Sequence, residues 1–200
     1  MIWLDDEEKE DKEKGKENNG GIGKDLLEKR LIMLFGPIDK ELAQKVIAQL
    51  VYLDIQNNDP ILMLINSPGG DADAGFAILD IIRSIKSKVI TVANGIAASA
   101  ATVVLLASDK DLRFATKNAR LLIHQPSTGT QGTASDIEIQ ANAIRELRKT
   151  GSQLIADQTG KSFEQVEKDI HRDFWLNAEE AKEYGLISNT IDSIKEIFDY

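Results

Sequence analysis

The chain has 200 residues, 42% of them hydrophobic, a net charge of −9, no cysteine and two histidines, which suits one domain with a sizeable core. The missing cysteines exclude a thiol nucleophile, disulfides and Cys-ligated metal centres, and two histidines are too few for a usual catalytic zinc site. The acidic balance argues against nucleic-acid binding, no stretch approaches the ~18 apolar residues of a membrane span, and no secretory leader is visible, so cytoplasmic residence is expected.

Residues 1–21 carry eight acids and four lysines. So few apolar residues cannot offset the entropy of ordering, which predicts a solvated tail ahead of a domain spanning 22–200. From Leu31 onward, apolar runs of strand character (LIMLF, ILMLIN, VITVAN) alternate with helical stretches from Asp39 to Asn57 and from Asp73 to Ile85. That alternation predicts an α/β fold of parallel strands joined by crossover helices. In the first helix Leu42, Val46, Ile47, Leu50 and Leu53 form one buried stripe. The runs ILMLI and LLI are apolar on both sides, as expected of strands covered on both faces. A long helix is predicted from Ala134 to about Thr159, closing at Gly160. Its Ile137, Ile139, Ile144, Leu147, Leu154 and Ile155 occupy more than one face, so it is either deeply buried or at a subunit contact. Asn177 and Gly185 are the expected cap and stop of a last short helix.

Three loops that follow apolar strands stand out: SPGGD at 67–71, GIAASAATVV at 95–104 and LLIHQP at 121–126. Strand ends are where ligand sites gather in open α/β sheets. Ser99 precedes a helical apolar run, where helix N–H groups favour developing negative charge. It reads either as a nucleophile or as a simple helix cap. Its alanine neighbours lack the G-x-S-x-G elbow, which disfavours an α/β-hydrolase fold. A serine nucleophile needs a base. His124, at a strand end before Gln125-Pro126, suits that role better than His171, which lies among the charges of KDIHRD. Gly69-Gly70 after Pro68 reads as an oxyanion or peptide-docking backbone, or as a tight turn. No spacing selects the acid that would orient His124.

The segments INSPGG, GIAAS, IHQPSTGTQGTASDIEIQA and RDFWLNAEEAKEYGLI, in this order and spacing, resemble the proteolytic subunit of the Clp protease from about Leu31 to Ile191. The resemblance implies a ClpP/crotonase-like spiral of repeated ββα units with a protruding handle that runs from Gln131 through the long helix. It implies a catalytic triad of Ser99, His124 and Asp173, an oxyanion hole of the Gly70 and Ala100 N–H groups, and substrate bound as an added strand along Gly69, Gly70, Asp71 and Ala72 and along Pro126 and Ser127. It further implies two stacked seven-membered rings, delivery of unfolded protein substrates by an AAA+ unfoldase ATPase, and no cofactor or metal. Ala100-Ala101 stand where the family usually has Met-Gly, and Asp71 and Asp73 where it has small or apolar residues. The N-terminal tail is far more charged than usual, so the ATPase coupling is expected to be altered or shared with a paralogous subunit. The alternatives are a weakly active structural subunit of a mixed ring and an acyl-CoA enzyme of the crotonase type, for which no CoA pocket can be identified.

Overall fold

The computed structural model describes residues 23–198; the charged tail, 1–21, lies outside them. A short helix, α1 (23–28), leads into β1 (Leu31–Phe35). Asp39 then caps α2 (Lys40–Gln56) by accepting the Leu42 N–H at 2.8 Å. The predicted stripe turns inward, with Val46, Leu50 and Leu53 buried. β2 (Ile61–Ser67), α3 (Ala72–Ser84) and β3 (Val89–Ala98) complete two crossovers of the expected kind. They are followed by α4 (Ala100–Leu105), β4 (Arg113–Thr116) and β5 (Arg120–Ile123).

β1, β2, β3 and β4 pair in parallel, and β7 (Asn189–Ile191) extends that sheet beyond β4. The helices α2, α3 and α4 cover one face through the main core. The other face carries a smaller cluster of Leu62, Leu64, Ile90, Val92 and Phe114, packed against Ile191 and Ile197 of the C-terminal segment. β2 is therefore buried on both sides, as its sequence required, whereas Met33 and Phe35 of β1 stay exposed on the second face.

β3 bends midway. Ile65 pairs with Ala93, but Ser67 pairs with Ala97, so β3 carries two extra residues. Gly95 takes a positive φ of 92°, and a side chain there would lie 2.9 Å from Asn66 Oδ1. The bend frees the end of β3 from β4 and lets it pair with β5, Ala98 opposite Leu122.

The long helix α5 (Ala134–Thr159) has the predicted bounds, a capping box between Thr133 and Asp136, and a left-handed Gly160. Its first half is largely exposed, including Ile137 and Ile139, and its last turns are buried against the core, so deep burial of the whole helix is ruled out. α6 (Phe163–Asp169) then leads to β6 (Phe174–Asn177), which runs antiparallel to β5. α7 (Ala178–Tyr184) has its cap at Asn177 and its stop at Gly185, and α8 (Lys195–Phe198) closes the described chain. Among the described residues no helix is long and apolar enough to cross a membrane.

Candidate active site

Three adjacent strand ends bring the candidate residues together. Ser99 follows β3, His124 follows β5, and Asp173 immediately precedes β6. Because β6 is antiparallel, its beginning lies beside the end of β5, with Phe174 opposite Ile123. Ser99 and His124 line the same two adjoining cavities. The His124 Nδ1 to Asp173 Oδ1 separation is 3.6 Å, with the histidine side chain 24% exposed and the aspartate 65%. That distance exceeds a hydrogen bond, and such contacts often tighten only in the complex with substrate.

Ser99 holds an unusual backbone, φ 57° and ψ −121°, and its side chain makes no capping bond to α4. Ser99 thus stands at the N-cap position of α4 without its side chain capping the helix. A non-glycine residue at such angles stores strain of order 1–3 kcal/mol, which the surroundings must hold. They do so through the Ser99 N–H, which donates to the Leu122 carbonyl at 3.0 Å. Thr102 adds bonds of 2.9 Å from its hydroxyl to the Ala97 and Leu122 carbonyls. Gly69 completes the clamp. A Cβ there would stand 2.4 Å from the Ala98 carbonyl oxygen and 2.8 Å from Ser99 Cβ, so only glycine allows the two loops to meet.

Ile38 fixes the glycine loop from the other side. Its N–H donates to the Gly69 carbonyl and its carbonyl accepts from Asp71 N–H, both at 2.8 Å. Between these bonds the Gly70 N–H has no backbone acceptor among the described residues, and neither does the Ala100 N–H. Two unpaired donors near a serine can stabilise an oxyanion. Ala101 is buried within α4 without a positive φ, so its extra methyl imposes no backbone strain. Of the predicted substrate contacts, Gly70, Asp71, Ala72, Pro126 and Ser127 line one cleft with Ser99 and His124, while Gly69 lies beneath it. Asp71 is partly committed as the cap of α3, accepting the Ala74 N–H at 3.1 Å.

An apolar pocket opens beside Ser99 between α3, α4 and α5. Behind it lies a network that the sequence reading missed. Arg148 of α5 pairs with Glu167 of α6 at 2.8 Å and donates to Gln125 Oε1 at 3.0 Å. Gln125 Nε2 in turn donates to the His171 carbonyl at 2.7 Å, and Ser152 donates to Glu167. The residue after His124 is thus tied to the segment carrying Asp173. Gln125 beside the histidine was the only signal. Phe174 packs on Tyr184 at 5.6 Å between ring centres, and burial together with the bond to Asp169 pushes the Tyr184 phenol upward, keeping it a donor. Among the described residues no cluster of three or more His, Asp or Glu could hold a metal ion.

The family model for Clp protease matches residues 14–194. The ATP-dependent Clp protease proteolytic subunit 2 of Treponema pallidum is 49% identical over 168 residues, 84% of each chain. Subunit 2 of Treponema denticola is 44% identical over 98% of each chain, and subunit 3 of Rhizobium etli is 42% identical over 97% of this chain and all of that one. A solved structure, that of a ClpP1 mutant from Listeria monocytogenes, superposes with a TM-score of 0.81 at 41% identity, covering 87% of this chain and 98% of that one. Fold and relatives together define the class: a serine peptidase, a hydrolase acting on peptide bonds. Within that class the chain belongs to the Clp protease family, and the spiral α/β fold implied by its sequence motifs is the fold it has.

Proposed function

We propose that this chain is the proteolytic subunit of a ring-shaped, ATP-dependent protease and that Ser99, His124 and Asp173 form its triad. The observation that carries the reading is the meeting of the three residues at neighbouring strand ends, around a strained serine. His124 takes the Ser99 proton as Oγ attacks the peptide carbonyl, and Asp173 holds the imidazole in the required tautomer. The Gly70 and Ala100 N–H groups receive the oxyanion. The C–N bond breaks as His124 returns the proton to the amine, and water then hydrolyses the acyl-serine. Unfolded substrate lies as an added strand along Gly70 to Ala72 and Pro126 to Ser127, which line the cleft. Stacked seven-membered rings, an AAA+ unfoldase and cytoplasmic residence belong to the same reading.

The wide His124–Asp173 contact and the exposure of Asp173 favour a second reading, in which a neighbouring or paralogous subunit completes the site. Intact-mass spectrometry after fluorophosphonate treatment tests the first. A single adduct is expected on the native chain and none on Ser99→Ala. The absence of any adduct from the assembled protein would reject a self-sufficient triad, and labelling only after adding a paralogous subunit would establish the mixed ring.

A further inference from the structure

The cleft that holds Ser99 and His124 is walled by the start of α3, the loop after β5 and part of α5. Two carboxylates line it from α3, those of Asp71 and Asp73, and among the described residues no lysine or arginine does so. α5 contributes Gln140, Ala143, Ile144 and Leu147, and the loop adds only uncharged groups besides His124. Arg148 lines the adjoining pocket, but Glu167 pairs with it at 2.8 Å, so its charge is already matched. The cleft is therefore one-sidedly acidic.

The fold asks little of either charge. Asp71 caps α3 with one oxygen, which accepts the Ala74 N–H, and an uncharged asparagine could accept the same bond. Asp73, in the first turn of α3, is exposed and has no hydrogen bond or ion pair among the described residues. The dipole of α3 favours an acid at both positions, yet neither carboxylate is neutralised by a partner. Substrate in the proposed function runs along Gly70 to Ala72, so Asp71 lies on its path and Asp73 one residue beyond. Lysine and arginine carry their charge at the end of a long stem, so a basic side chain close to the scissile bond can reach the pair. We propose that Asp71 and Asp73 are specificity-determining residues: they favour substrates with lysine or arginine flanking the scissile bond and disfavour acidic side chains there. The inference rests on the proposed role of Ser99 and adds to it the charge of the sequence that is cut.

The test uses the full-length assembled protein and internally quenched peptides that are identical except for Lys, Gln or Glu at each position flanking the cut. For the native chain, kcat/KM at low salt should be about tenfold higher with Lys than with Glu at the most sensitive position. The difference should lie mainly in KM, and it should largely vanish in about 1 M salt, where the Debye length is ~3 Å. Asp73→Asn should lower the Lys-to-Glu ratio about threefold, and the Asp71→Asn, Asp73→Asn double variant should bring it near one. Asparagine is as good a cap as aspartate, so α3 is retained. Asp73→Lys should invert the preference. A ratio near one in the native chain, or one unchanged in all three variants while fluorophosphonate still labels Ser99, overturns this inference alone. So does a lowered Tm with the ratio unmoved, which would assign the acids to the stability of α3. Failure of the native chain to label at Ser99 and to cleave any of the peptides overturns it together with the reading on which it rests.

Discussion

At Ser99 two left-handed residues face each other across the site, the serine at φ 57° and Gly69 at φ 86°. Neither conformation is locally favourable, and each loop blocks the relaxation of the other. Gly69→Ala would force a methyl to within 2.4 Å of the Ala98 carbonyl, so the glycine loop and the serine loop must separate. Destabilisation of at least roughly 1–3 kcal/mol is expected, with loss of fluorophosphonate labelling. A variant that melts and labels like the native chain would show that this contact does not hold the serine. Little of this was legible beforehand. Ser99 sits between alanines, which give no sign of positive φ, and the strain comes from Gly69 and Leu122, both distant in sequence. Asp173 was invisible to spacing for a related reason: α5 and α6 separate it from His124, and only pairing of β5 with β6 closes the gap.

Elements with local signals were readable and those built by tertiary pairing were not. α2, α5 and α7 announced themselves through Asp39, Gly160, Asn177 and Gly185, each used as a cap or stop. β6 has four residues, and its strand character comes from β5 rather than from its own pattern. The antiparallel direction that sets Asp173 beside His124 therefore had no sequence signature. One carboxylate illustrates how separate elements are joined. Asp54 of α2 accepts the backbone N–H groups of Ser87 at 2.7 Å and Lys86 at 3.0 Å, just ahead of β3. The Ser87 N–H, with help from its hydroxyl and the Lys86 N–H and charge, holds the Asp54 carboxyl below its ordinary value despite some desolvation. A depressed carboxyl contributes stability above its unfolded-state pKa, ~3.9, and loses that contribution as pH falls through the folded value. Asp54→Asn should accordingly lower Tm at neutral pH, and the difference from the native chain should shrink below about pH 4. A Tm gap that stays constant from pH 7 to pH 3 would sink this assignment.

On the scale of the whole molecule, the exposed apolar residues are spread over separate elements: Met33 and Phe35 on β1, Tyr52 and Ile55 on α2, Ile137 and Ile139 on α5. Such exposure on several sides suits a subunit with more than one neighbour. Native mass spectrometry at micromolar concentration should find the double ring of the proposed function, and a stable 22.1 kDa monomer would contradict that assembly. The excursion that contains α5 and α6 is closed at its root, where the Gln125 N–H donates to the Ile170 carbonyl at 2.8 Å and the Gln125 side chain reaches His171. Chain leaves the sheet and returns to it at one spot, so the strands register only where the excursion starts and stops. Lengthening, trimming or reshaping the exposed tip of the arm, ahead of Gln140 and of the buried turns that hold Gln125 through Arg148, would cost loop entropy that grows slowly with length, without shifting the strand ends that present Ser99, His124 and Asp173. In evolutionary terms that tip is a replaceable part: lineages could remodel how subunits meet while inheriting the chemistry at the root unchanged.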